Sequence, residues 1–226
     1  TSKLEVTLTD LDGNASVEEV VPVVVNVPPE GALMSYDFDG EALDPAWETV
    51  THGKNDNTAN WIFQNGVITE NGNAHGYSDD GPPDYGTFLW NSGWQMTNGR
   101  LVAHVFVGDN DGFGLMYGIQ NAGEVSDDPN TWSYYRFSVN WETPPANVVR
   151  VDKGKFTVLE ENADYRPPLG QWVMLEIERD GDVHTALIDG LPLFKFVDDA
   201  LTTGGVGVFS WAMTNFQVDF VAVESL

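Results

Sequence analysis

The chain has 226 residues, room for one large all-β domain or for a domain with a fragment of a second. Lys and Arg total 10 against 35 Asp and Glu, a formal charge of −25, which argues against nucleic acid and anionic membranes as partners. Cysteine is absent, which excludes disulfides, thiol catalysis and thiolate-held metals. Such an acidic chain repels itself unless cations screen or bind it. A solvated surface suited to salty surroundings and a set of calcium sites both answer that need. Calcium is also the staple open to a secreted chain without disulfides. No apolar run nears the roughly 20 residues of a membrane span. No signal peptide is visible, and the chain begins mid-pattern, as a piece of something longer would.

In chain order, Leu4, Val6 and Leu8 alternate with polar residues, Asp12-Gly13 turns, and Val17 to Val27 reads as a second strand. Two strands cannot bury a face alone, so residues 1–27 read as a β-hairpin ending a preceding repeat, or as a piece that pairs with the main domain. Asp10, Asp12 and Asn14 could ligate a calcium between modules, though Asp-Gly turns without one. Pro28-Pro29-Glu30-Gly31 marks a linker over 28–33, and a new domain spans 34–226. Within it, Trp61 to Glu70 is a hairpin around Asn65-Gly66, and 71–85 is a loop. Thr87 to Trp90 is a strand, and Thr97-Asn98-Gly99 turns into a strand whose Leu101, Ala103, Val105 and Val107 share one apolar face. Later hairpins turn at Lys153-Gly154, Asp180-Gly181-Asp182 and Asp189-Gly190; Val206–Trp211 and Phe216–Val223 close the domain. Many short strands between turn signals, with no helical period, predict a sandwich or barrel.

The stretch Gly108 to Asn140 organises the rest. Asp109-Asn110-Asp111-Gly112 offers three oxygen-bearing side chains and a glycine, a donor set suited to a hard cation such as calcium; it also suits an Asx-type turn with solvated carboxylates. The following strand puts Phe113, Leu115, Tyr117 and Ile119 on one face and Gly112, Gly114, Met116 and Gly118 on the other. A glycine face admits another backbone or a flat ligand. The next strand puts Tyr135, Phe137, Val139 and Trp141 on one side, with Tyr134, Arg136, Ser138 and Asn140 opposite.

The series GDNDGFGLMYGIQ, SYYRFSVNW, VRV–DKGKFTVLEE, GQWVMLEIERDGD, ALIDGLPLFKF, TTGGVGVFSW and FQVDFVAV resembles the lectin-like domain that closes thrombospondins, and its bacterial relatives in large secreted, RTX-type adhesins and polysaccharide-active proteins. The likeness covers roughly residues 34–226. It implies a jelly-roll β-sandwich of concanavalin type, structural calcium and, in many members, sugar recognition. It places Asp109 and Asp111 in a calcium loop and Asp219 where the family carries an acidic residue in its closing strand; Gln217 departs from the paired acids found there. The opening hairpin resembles the end of cadherin-like or immunoglobulin-like repeats of bacterial surface proteins.

Paired acids at Asp79-Asp80, Asp127-Asp128 and Asp198-Asp199 add to the calcium case by number. Trp47, Trp61 and Trp172 read as core, and Trp90 and Trp94 bracket a loop. Aromatics near loops suit sugar rings, whose C–H faces stack on them, and equally suit sealing the sandwich ends. Glu176, Glu178 and Asp180 share a strand face, the nearest approach to a glycosidase carboxylate pair, but they run into a turn and read better as solvated. His52, His75, His104 and His184 have no partner at metal-ligand spacing. The resulting expectation is a non-enzymatic, calcium-stabilised module of an extracellular bacterial adhesin that binds a cell-surface or matrix glycan beside neighbouring domains of the same chain. Metal ligands are expected at Asp109, Asn110, Asp111 and Asp219, and glycan contacts at Tyr117, Trp132, Tyr134, Arg136 and Trp211. A calcium-rigidified scaffold, a peptide-binding module and a glycan-active enzyme are the alternatives.

Overall fold

The computed structural model describes residues 8–9, 15–16, 31–38, 43–51, 54–55, 58–77, 86–120, 131–141 and 145–226. Two antiparallel sheets form a jelly-roll sandwich. The first sheet runs, edge to edge, through Leu191–Val197, Val183–Ile188, Trp172–Asp180, Gly99–Phe106, Phe216–Glu224, Val67–Glu70 and Trp61–Gln64; Met34–Tyr36 also pairs with Phe216–Glu224. The second runs through Lys155–Asn162, Ala146–Asp152, Ser133–Val139, Gly112–Gln120, Gly204–Trp211, Thr87–Met96 and Trp47–Thr51.

The turns follow local chemistry. Asn65-Gly66, Lys153-Gly154 and Asp189-Gly190 all have positive φ at both residues, the backbone that a two-residue hairpin with the right twist needs. The core lies between the sheets and is built by alternation. Leu101, Ala103, Val105 and Val107 face Phe113, Leu115, Tyr135, Phe137 and Val139 there, all buried. The alternation breaks at Gly118, where φ is +63° and the register shifts; Ile119 turns to the other side and joins a second apolar cluster. The 87–96 segment, read as a strand and a loop, is one continuous strand. Of the opening hairpin, Leu8–Thr9 pairs with Ala15–Ser16. Asp10, Asp12, Asn14, His52, Asp79, Asp80, Asp127, Asp128 and residues 28–30 of the linker lie outside the described residues.

Candidate functional site at the acidic loop

The glycine strand and the Ser133–Val139 strand lie side by side, and the 109–111 loop caps their end. Asp109 ties this loop to the far end of the chain. Its Oδ2 accepts from the backbone N–H (2.6 Å) and hydroxyl (2.5 Å) of Thr214, and its Oδ1 accepts from the Asp111 N–H (3.2 Å). Asn110 offers its carbonyl to the N–H of Trp141 at 3.1 Å. Trp141, expected on the same strand face as Val139, lies past the strand's end instead and is 41% exposed beside the loop. The neighbouring Asn140 is buried, and its Oδ1 has no hydrogen-bond donor among the described residues.

Calcium needs six to eight oxygens around one point. Asp109 already accepts from three protein donors, and no group of three or more acidic or histidine side chains able to hold a metal occurs among the described residues. Asp219 is not part of this loop: it bonds His104 Nδ1 at 2.8 Å within the first sheet. The described carboxylates therefore do not by themselves fill a calcium shell.

Four of the five residues expected to touch glycan are brought together, but under cover. Trp132, Tyr134, Arg136 and Trp211 share the outer side of the second sheet, where each is at most 5% exposed. Trp90 meets Trp132 edge-on at 5.3 Å, and the Arg136 guanidinium lies 4.3 Å from the Phe209 ring. Trp211 packs over Gly112, where any Cβ would sit 3.4 Å from it. The expectation of an open aromatic surface here is corrected: large rings on a glycine-rich strand found each other rather than solvent.

Tyr117, the fifth, faces the opposite way, into the sandwich. Its hydroxyl lies 2.9 Å from His184 Nδ1, and His184 Nε2 lies 2.9 Å from the Asp198 carbonyl. A carbonyl only accepts, so Nε2 carries the proton and Tyr117 donates to Nδ1. Tyr135 donates to the Asp198 carboxylate, which also pairs with Arg150. Burial pushes Tyr117 well above the usual tyrosine range and, with Asp198 beside it, Tyr135 up to about 12. Burial, with the nearby Arg179, pulls His184 down. This network explains Tyr117 as a support of the fold, not a ligand contact.

Glu176 is buried, pairs with Arg100 and accepts the Gly190 N–H at 2.8 Å. Trp172, expected in the core, is 39% exposed.

No family model matches the chain, and no curated protein sequence matches it. Solved structures do. A Bacillus subtilis protein of unknown function with a galectin-like fold is 14% identical, with TM-score 0.64 over 86% of this chain and 96% of that one. The carbohydrate-binding module CBM66 from Bacillus subtilis is 15% identical, with TM-score 0.56 over 79% and 94%. A prokaryotic β-1,3-1,4-glucanase (lichenase) derived from a mouse hindgut metagenome is 12% identical, with TM-score 0.53 over 85% and 99%. At these identities the likeness is one of fold: this chain shares the lectin-like sandwich of galectin-type proteins, carbohydrate-binding modules and glucanases.

Proposed function

We propose that the chain is a carbohydrate-binding module that takes a glycan at the 109–111 loop. The observation that carries this is Trp141, an exposed indole pinned by its own backbone to Asn110. A sugar ring stacks its C–H face on an indole, while amides and carboxylates take its hydroxyls. Asn110 and Asp111 supply such groups. The solved carbohydrate-binding module and glucanase of the same fold support this class of ligand.

Calcium dependence and an adhesin role are the finer parts of the proposal. They rest on the charge of −25, the absence of cysteine and the resemblance to secreted bacterial adhesins, which also carries the extracellular setting. Catalysis is left out of the proposal because Glu176 is buried against Arg100, and a glycosidase needs two carboxylates open to the bond. A glycan array with the wild-type chain and Trp141→Ala tests the reading. Binding that drops about tenfold in the variant, with an unchanged unfolding midpoint, supports it. Silence of the wild-type chain, in calcium and in chelator, favours the second reading, a spacer that positions neighbouring modules. The burial of Trp132, Tyr134, Arg136 and Trp211 is the observation on that side.

A further inference from the structure

The outer face of the first sheet carries a second exposed indole, unused by the loop site. Three strands build its setting. In the Gly99–Phe106 strand, Phe106 stands opposite Trp172 on one side and Gln217 on the other; His104 stands opposite Met174 and Phe220. The Trp172 ring lies nearly parallel to the His104 ring, with centroids 4.6 Å apart and planes at 22°. Phe220 stacks on His104 as well, at 5.8 Å and 28°, and Phe106 leans on Trp172 at 5.5 Å. His104 is 6% exposed and Trp172 is 39% exposed, so the indole roofs the imidazole and turns its remaining surface to solvent. The Asp219 carboxylate, its side chain 29% exposed, holds His104 Nδ1 at 2.8 Å and stands beside the rings.

We propose that Trp172 is a second sugar-stacking site, for one ring of a neutral, pyranose-based glycan. The inference rests on the reading of the chain as a carbohydrate-binding module, but on different residues. Four observations select this occupant. The indole is held flat by His104 beneath it, so little side-chain freedom is lost on binding. Asp219 on His104 and Gln217 opposite Phe106 put a carboxylate and an amide at the edge of the ring stack, the groups that receive hydroxyls. Charge bounds the stack: beyond Val102 the same strands carry Arg100, Glu176, Glu178 and Glu224, too charged for a protein interface of roughly 800 Å² per partner. His104 takes only Oδ2 of Asp219, which leaves Oδ1 to receive a hydroxyl, and the charge of −25 repels an anionic ligand.

The test is a nuclear magnetic resonance titration of the whole chain. The indole N–H signals of Trp172 and Trp141 are assigned from Trp172→Phe and Trp141→Phe. Cellohexaose and maltohexaose serve as neutral probes, a polyuronate oligomer as the anionic one and a glucosamine oligomer as the cationic one. The expected result is a saturable shift of the Trp172 signal with a neutral probe, retained in Trp141→Ala. Trp172→Ala should weaken binding at this site about tenfold while leaving the fold's signal dispersion intact. A Trp172 signal that stays still while Trp141 moves overturns this proposal and leaves the loop site standing. Stillness of both signals overturns both readings. Movement with only the charged probes overturns the assignment to neutral glycans. His104→Phe keeps the stack and should keep the shift, whereas a roof that merely covers His104 gives no shift in any variant.

Discussion

The two outer faces of the sandwich are made by the same rule and end differently. On the second sheet, Trp132, Tyr134, Arg136, Phe209 and Trp211 alternate outward and are buried together. On the first sheet, Phe106, Trp172 and Phe220 also alternate outward, and Trp172 keeps 39% of its surface in solvent. Arginine behaves in parallel. Arg136 is 1% exposed between two rings, while the half-buried Arg100 spans Glu176 and Glu224 at the surface. Strand alternation decides which side a residue takes. Whether that side is covered is a property of the whole fold.

The largest expected effect breaks or keeps this contrast. Trp132→Ala and Phe209→Ala should each cost about 3–5 kcal/mol, the usual price of emptying a buried aromatic site. Trp172→Ala should cost about 1 kcal/mol, since much of its ring is already wet. Chemical unfolding of the three variants measures this. Similar losses at all three would mean that the two faces are equally part of the core.

A smaller effect sharpens it. At Gly114 an added Cβ would sit 1.9 Å from the carbonyl oxygen of Phe137, so the paired strands would have to part. Gly114→Ala should cost about 1–3 kcal/mol, by unfolding in urea. Gly93, whose nearest neighbour is the Asn91 side chain at 3.4 Å, should accept alanine with little change.

The glycine strand was legible in the sequence because close approach leaves a composition mark. So were the hairpin turns and the apolar face of Leu101 to Val107, since both are local patterns. The candidate site was legible only in part. Asp109 is answered by Thr214, 105 residues away, and Tyr117 by His184, 67 residues away; no spacing rule joins such pairs. Trp141 continues the alternation of Tyr135, Phe137 and Val139, yet the strand ends before it. Gly118 looked like one more small residue, and only its positive φ reveals that it flips Ile119. Trp172 sits among Val173, Leu175 and Ile177, so its apolar neighbourhood concealed that it faces the other way.

The interior also responds to pH. His184 is buried against Tyr117, Tyr135 and Phe196, with Arg179, Asp182 and Asp198 the charged groups acting on it. Its folded pKa is depressed, so the unfolded chain takes up a proton first as pH falls. The stability it contributes is present above about pH 6.5 and is lost as pH drops toward the lower folded value. The slope from this one group is at most about 1.4 kcal/mol per pH unit. His184→Gln should flatten the unfolding midpoint against pH in that window; an unchanged slope would assign it to other groups.

Glu70 gives the smallest effect, with the opposite sign. It is fully buried, and its Oε1 accepts the N–H groups of Asn60 at 2.9 Å and Gly72 at 2.7 Å. Those bonds favour the carboxylate, but burial outweighs them and Asp109 adds repulsion, so the carboxyl is pushed above its usual range. A raised folded pKa means that the folded chain holds this proton more tightly. The associated stability is present below the unfolded pKa and is lost as pH rises through the folded one. At neutral pH the buried charge is therefore a burden. Glu70→Gln keeps an oxygen for both N–H groups and removes that charge. It should raise the unfolding midpoint by about 1–3 °C near pH 7, and the gain should shrink at pH 4, where wild-type Glu70 already holds its proton. Thermal unfolding of both proteins at the two pH values decides it. A loss of stability near pH 7 would show that the backbone donors of the 70–72 turn prefer the charged oxygen, and that desolvation is the weaker force at this site.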